Sequence, residues 1–200
     1  MKGILDFIIH IPEPFKEKFT TESGMEFYGD KRFMPQQLSN RKATIINVPC
    51  SLETVLQPGF EVLVDPTILY EQNFHLTGGA QESIYLVDKD KAYYKINPRM
   101  IIAYRNSNMD SWIGFMDNGL YERIEISENE KKIGQLFLPE SSKKKHQQGK
   151  AKVVFKNEDL EANIGQTVFV KEDFGIEFFL DGKILLWYRN EDVLAIDECN

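Results

Sequence analysis

Cysteine is scarce in this chain. Cys50 and Cys199 are the two present in 200 residues. They lie far apart and form no metal-spaced motif, which excludes a disulfide scaffold and makes reduced thiols in a cytosolic-type compartment the default. Histidine is scarce too. His10 alternates with Ile9 and Ile11 as a strand residue does, and His75 and His146 stand in loop-like surroundings. No Cys–His or His–carboxylate spacing suggests a metal site. Thr77-Gly78-Gly79-Ala80 is a loop signal and not a phosphate-binding loop. Carboxylate pairs such as Glu158-Asp159 and Glu191-Asp192 read as solvated turns. The chain is therefore expected to have no catalytic residues, no metal and no cofactor, and to be no enzyme.

An excess of positive charge is also missing. Lys and Arg number 24 against 31 Asp and Glu, a formal net charge of −7, so the electrostatic case for nucleic-acid binding is absent. Lys143-Lys144-Lys145 reads as part of a solvated loop. No apolar run approaches the roughly 20 residues of a membrane span. Asp6 and His10 interrupt any signal-peptide core, and Asp6, Glu13 and Glu17 precede the first arginine, Arg32, unlike a transit peptide. The expectation is a cytoplasmic protein with neither leader.

What remains is a chain with enough apolar residues (42%) to build a core, written mostly as short strands. Phe7–Ile11, Thr44–Val48, Phe60–Val64, Ser83–Val87, Ala92–Ile96 and Met100–Tyr104 are runs of β-formers punctuated by Pro, Asp and Asn. Asp88–Lys91 is a hairpin turn between two of them. The second half adds Ile124–Ile126, Ala151–Phe155, Thr167–Val170, Glu177–Leu180, Lys183–Tyr188 and Asp192–Asp197, with Asp181-Gly182 as a hairpin turn. No segment shows a long helical period; single turns are expected at most near Leu52–Leu56. The pattern predicts an all-β barrel or sandwich.

The halves repeat. A shift of 92 residues lays Ile101-Ile102-Ala103 on Val193-Leu194-Ala195 and Lys91 on Lys183; a shift of 106 lays Gly59 on Gly165. The 14-residue difference places an insertion in the first copy, within Ile68–Ser83. The boundary is expected in the polar link Arg105–Asp110, giving domains 1–106 and 107–200. Chance similarity between two β domains is the competing explanation.

Gly134-Gln135-Leu136-Phe137-Leu138-Pro139-Glu140 stands apart. Three bulky apolar residues sit between a glycine and a proline, followed by Ser141–Gly149, which has nothing to bury. The triplet is either a strand ended by Pro139 or a hook that another protein covers.

In order along the second half stand a strand at Ile124–Ile126, the Gly-apolar-apolar-apolar signature at Gly134–Pro139, the Lys-rich stretch Lys143–Gly149, a strand at Lys152–Val154, Gly165-Gln166-Thr167-Val168, and Asp181–Asp197. This ordered set, from about Leu120 to Glu198, resembles the GroES-type co-chaperonin family. The first half is similar to a diverged second copy that keeps the closing strand Arg99–Ala103. The resemblance implies two tandem, partly open β-barrels with long mobile loops, the second at about 128–149. Only Lys156–Ile164 and Asn47–Pro58 fill the place of a roof hairpin, so that hairpin is expected to be short or absent.

The resemblance also implies function: capping a GroEL-type chaperonin ring and helping to enclose unfolded client proteins. The chaperonin-binding residues are then Gly134, Gln135, Leu136, Phe137, Leu138 and Pro139. In the first copy, Gly24, Met25, Glu26, Phe27 and Tyr28 stand roughly where the hook belongs, with Glu26 interrupting the apolar run; Arg32-Phe33-Met34-Pro35 is a further candidate. A homo-oligomeric ring is implied, with ATP bound by the chaperonin and not by this chain. The rival is a diverged, phage-type structural or assembly ring that never meets a chaperonin.

Overall fold

The computed structural model describes residues 5–16, 18–20, 25–29, 38–69, 83–106, 110–125, 146–172, 175–181 and 183–197. These form two compact units, Met1–Met116 and Asp117–Asn200. Both are all-β and partly open, built from antiparallel strands.

The first unit holds β1 (Phe7–His10), β2 (Lys18–Thr20), β3 (Glu26–Tyr28), β4 (Lys42–Asn47), β5 (Glu61–Val64), β6 (Leu86–Asp88), β7 (Tyr93–Ile96), β8 (Ile101–Arg105) and β9 (Ile113–Gly114). Seven of them form one sheet in the order β6-β7-β1-β4-β5-β8-β9, and β2 and β3 make a separate hairpin. Alternation drives the core: Phe7 and Ile9 from β1 with Ile11 just beyond it, Ala43 and Ile45 from β4, and Val62 and Val64 from β5 bury together with Ile96 and Ile101.

The second unit holds β10 (Asn118–Glu125), β11 (His146–Phe155), β12 (Thr167–Val170), β13 (Ile176–Leu180), β14 (Lys183–Arg189) and β15 (Val193–Ile196). Their order is β13-β14-β10-β11-β12-β15. Tyr121, Ala151, Val153, Val168, Val170 and Leu186 form the core.

Six strands of the first sheet match the second in order, and two register shifts recur in both. Ile9 pairs with Ile45 and Tyr94; Tyr121 pairs with Val153 and Leu186. A register shift separates Ile8 from Ile9, and another separates Leu120 from Tyr121. Leu63 faces Ala103 just before a shift at Val64, and Phe169 faces Ala195 just before a shift at Val170. Gly59 donates to the Ile45 carbonyl (2.8 Å) and Gly165 to the Val153 carbonyl (2.7 Å). Both glycines have positive φ, 93° and 86°, a conformation that side-chain-bearing residues avoid.

Several expectations shift in detail. Leu52–Leu56 is not helical; short 3-10 turns occur instead at Pro66–Leu69, Pro98–Met100 and Asn190–Asp192, two of them opened by proline, whose φ suits a first helical position. The turns 48–60 and 156–166 hold no strand, in keeping with the expected lack of a roof hairpin. β10 begins at Asn118, well before Ile124. Ile113–Gly114 pairs with β8 in the first sheet, and the division between units falls after Met116, beyond the expected polar link.

Candidate functional site

The hook residues Gly134, Gln135, Leu136, Phe137, Leu138 and Pro139 lie outside the described residues; the strands that present them do not. β10 ends at Glu125 and β11 begins at His146, and these two residues are paired across the ladder. The segment 126–145 therefore leaves and re-enters the sheet at adjacent points. β11 begins earlier than the sequence suggests: His146–Gly149, expected within the loop, is strand. Gln147 and Gln148 are exposed, so their polarity fits a solvent-facing strand end. Gly149, at φ 67°, absorbs the irregularity between Arg123 and Glu125 on the facing strand.

Beneath this exit lies an open cleft of about 540 Å³, lined by Arg123, His146, Lys150, Glu172, Glu177 and Tyr188 among others. Two of its cations are paired: the Arg123 guanidinium donates to Glu177 at 2.8 Å, and Lys150 Nζ donates to Asp197 at 3.1 Å. The Arg123–Glu177 pair is well exposed and contributes about 0–1 kcal/mol; it ties β13 to the loop-bearing strand β10. Below it, burial pushes the Tyr121 phenol up to about 12, and its ring meets Tyr188 edge-on at 5.6 Å. Among the described residues no group of three or more His, Cys, Asp or Glu could hold a metal ion. The first five residues of β11, His146–Lys150, form one wall of the cleft.

The turn where a roof hairpin was expected to be missing is held by a polar cluster that the sequence reading did not single out. Asn157 is buried. Its amide donates to the Asn118 carbonyl (3.3 Å) and to Asn190 Oδ1 (2.7 Å). Its own Oδ1 accepts from the backbone of Asp159 (2.9 Å) and Leu160 (3.2 Å) and from Asn190 (3.1 Å). Trp187 Nε1 donates to Asn118 Oδ1 at 2.9 Å. The Asn157-Glu158-Asp159 run is an Asx-turn signal that could have revealed part of this.

The first unit fills the corresponding place between β1 and β4 differently. The two sides meet first at a bridge between Phe15 and Ser39, supported by Lys16 donating to the Leu38 carbonyl (2.8 Å) and Asn40 to that of Pro14 (2.9 Å). Beyond it stands the β2–β3 hairpin, with Lys18 and Glu26 paired at 2.6 Å. Of the second candidate hook, Gly24 lies outside the described residues. Met25, Glu26, Phe27 and Tyr28 lead into and form β3, with Met25 58% and Tyr28 75% exposed. Of the further candidate Arg32-Phe33-Met34-Pro35, no residue is described.

Comparison with known proteins places the second unit. The family model described as "Chaperonin 10 Kd subunit" matches residues 118–196. The co-chaperonin GroES of Pelobacter propionicus is 34% identical over 90 residues, covering 40% of this chain and 95% of the relative. The co-chaperonin GroES of Trichlorobacter lovleyi is 32% identical over 90 residues, covering 40% and 94%. The family model falls on the strands β10–β15 and the two relatives are covered almost end to end, so this chain belongs to the GroES-type co-chaperonin family.

Proposed function

We propose that this chain is a co-chaperonin that caps a GroEL-type chaperonin ring and helps enclose folding client proteins, docking through Leu136, Phe137 and Leu138. The observation that carries the reading is the pairing of Glu125 with His146 within the family-matched unit. It pins both ends of segment 126–145 side by side. An apolar triplet near the middle of that segment stands off the sheet by at most about ten residues of chain, roughly 33 Å.

The energetics suit a reversible cap. Burying each large apolar side chain in a groove contributes about 1.5–3 kcal/mol. Fixing the backbone of the loop costs about 1–2 kcal/mol per residue. One loop is therefore weak, and a homo-oligomeric ring presenting several at once gains affinity through effective concentration. Release then follows any change that disturbs a few loops. ATP chemistry belongs to the chaperonin in this reading, and the chain acts in the cytoplasm by binding alone, with no catalytic step of its own.

The hairpin in the first unit favours a second reading, in which a diverged ring assembles without chaperonin contact: the place of a hook there is built as paired strand. Retention of Phe137→Ser on an immobilised GroEL-type ring with nucleotide separates the two. The co-chaperonin reading expects wild-type retention and its loss in the variant, at an unchanged melting temperature. Absence of wild-type retention favours the assembly ring.

A further inference from the structure

The same end of each barrel is filled differently. The pairings fix which residues correspond. In the first unit Lys42 pairs with Leu63 and Ala43 with Val62; in the second, Lys150 pairs with Phe169 and Ala151 with Val168. One residue earlier, Arg41 therefore stands where Gly149 stands. Both lie beside the same neighbour. The Val64 amide donates to the Arg41 carbonyl at 2.9 Å, and a Cβ built on Gly149 would lie 3.7 Å from the carbonyl oxygen of Val170, the counterpart of Val64. Ile9 corresponds to Tyr121 and Tyr94 to Leu186, so Ile11 stands where Arg123 stands and Ile96 where Tyr188 stands.

Unit one closes this end from within its own chain. Ile11, Val64 and Ile96 are 1% exposed or less, and Arg41 is 3% exposed. By alternation Arg41 shares the face of Ala43 and Ile45, which are in the core. A guanidinium-bearing side chain is thus built into the first barrel. Unit two has no side chain at Gly149, and the cleft of about 540 Å³ opens there, a volume within the range of small-ligand sites.

The groups left over in that cleft are of one kind. Arg123 and Lys150 are taken by Glu177 and Asp197. The Glu172 carboxylate lies against Gly149, with Oε1 3.3 Å from where a Cβ would stand, and it has no hydrogen bond or ion pair among the described residues. His146 Nδ1 is buried and has no hydrogen-bond partner, an exception that calls for an explanation in a folded chain. With the proton on Nε2 it is an acceptor. Val170, Leu186 and Tyr188 supply an apolar wall beside these acceptors.

We propose that this end of the second barrel binds a guanidinium group carried on an aliphatic stem. The head is received by the Glu172 carboxylate and His146 Nδ1, and the stem lies along Val170, Leu186 and Tyr188. Unit one carries the equivalent group in its own sequence as Arg41, and unit two takes it from outside. A guanidinium suits the site better than an ammonium, because its fixed fork of donors reaches more than one acceptor at once. The stem gains from the apolar wall while the head keeps its polar partners. The source is a free guanidino compound or an arginine side chain of another protein; both present the same chemistry. This site goes beyond the chaperonin reading and stands or falls without it.

The test is a titration of the full chain, labelled with nitrogen-15, by N-acetyl-L-arginine amide. Saturable amide shifts are expected at Gly149, Lys150, Glu172 and Gly175, with none at Ala43 and Val64, where unit one holds its own arginine. N-acetyl-L-citrulline amide, of the same shape without the charge, should bind at least about tenfold more weakly. Glu172→Gln should weaken the arginine amide at least about tenfold at an unchanged melting temperature, and His146→Phe about two- to tenfold. Agmatine separates the sources: tighter binding than the arginine amide supports a free guanidino compound, and weaker binding supports a protein arginine. Equal affinity for the arginine and citrulline amides overturns the site. So does an affinity unmoved by Glu172→Gln, a response spread evenly over both units, or no saturable response at all.

Discussion

The two units carry the same six strands in the same order and depart from each other at their points of contact with something else. Between first and second core strands, unit one has a bridged neck and the β2–β3 hairpin, whereas unit two has segment 126–145 springing from one residue pair. Beside the last strand, unit one has β9, and unit two has no further strand among the described residues. The framework tolerated divergence in its core residues: Ile9 stands where Tyr121 stands, both fully buried. It kept two of its register shifts and the two positive-φ glycines. What a barrel needs in order to close is thus separable from what it presents to partners, and the comparison says which unit presents what.

The largest expected effect falls on the loops. Replacing residues 134–139 with Gly and Ser should weaken chaperonin retention by about 100-fold or more, since the loss at each loop is multiplied around the ring. Met25→Ser with Tyr28→Ser in unit one should change it by less than about tenfold, as measured by titration on immobilised chaperonin. Equal losses from both would break the proposed division of labour.

Next comes the turn above the core. Asn157→Ala strips five hydrogen bonds from a buried site and should destabilise unit two by about 2–4 kcal/mol. Unit one plugs its corresponding turn with a buried Leu56, so its own amide-exchange protection should be unmoved.

The buried phenol should separate the units by pH. Its folded-state pKa lies above the ordinary 10.0, at about 12, so the folded chain keeps a proton that the unfolded chain has released. That contribution is intact below pH 10 and is lost as pH rises from 10 to 12, about 2–3 kcal/mol in total. The hydroxyl has no hydrogen-bond partner among the described residues, so Tyr121→Phe should abolish the window at little cost below pH 10. Denaturant melts of both proteins across that range measure it, and unit one, with Ile9 in place, should show none of this contribution.

The smallest effect sharpens the equivalence itself. Gly59→Ala and Gly165→Ala each force a side chain into positive φ, the first in open space and the second in ordinary contact with the Lys152 side chain at 3.8 Å, so each should cost about 1–2 kcal/mol by backbone strain. The two values should agree; a clear disagreement would show that the matched turns are not equivalent.

Much of this was legible in the chain. Runs such as Thr44–Val48, Thr167–Val170 and Lys183–Tyr188 alternate or concentrate β-formers, and each became a strand within one or two residues. The repeat was visible because Gly59 and Gly165 hold a backbone conformation few other residues accept. The first half of β10 was hidden because Asn118-Gly119 reads as a turn; Asn118 is buried there because the Trp187 indole and Asn157 satisfy it, which is tertiary information. The first residues of β11 were hidden by solvent-facing glutamines, and β2 and β3 by strands too short to alternate visibly. β9 offered two residues, Ile113–Gly114, too few for any period. Its importance came from what it covers. The hook was legible as composition, and the structure contributed the pair of residues that frames it.

The most direct test of the central claim is electron microscopy of a GroEL-type chaperonin ring mixed with nucleotide and this protein. A cap should be seated on the ring with the wild-type chain and should be absent with Phe137→Ser, although that variant still forms its own assembly. A cap that persists with Phe137→Ser, or a wild-type assembly that ignores the chaperonin, would contradict the account.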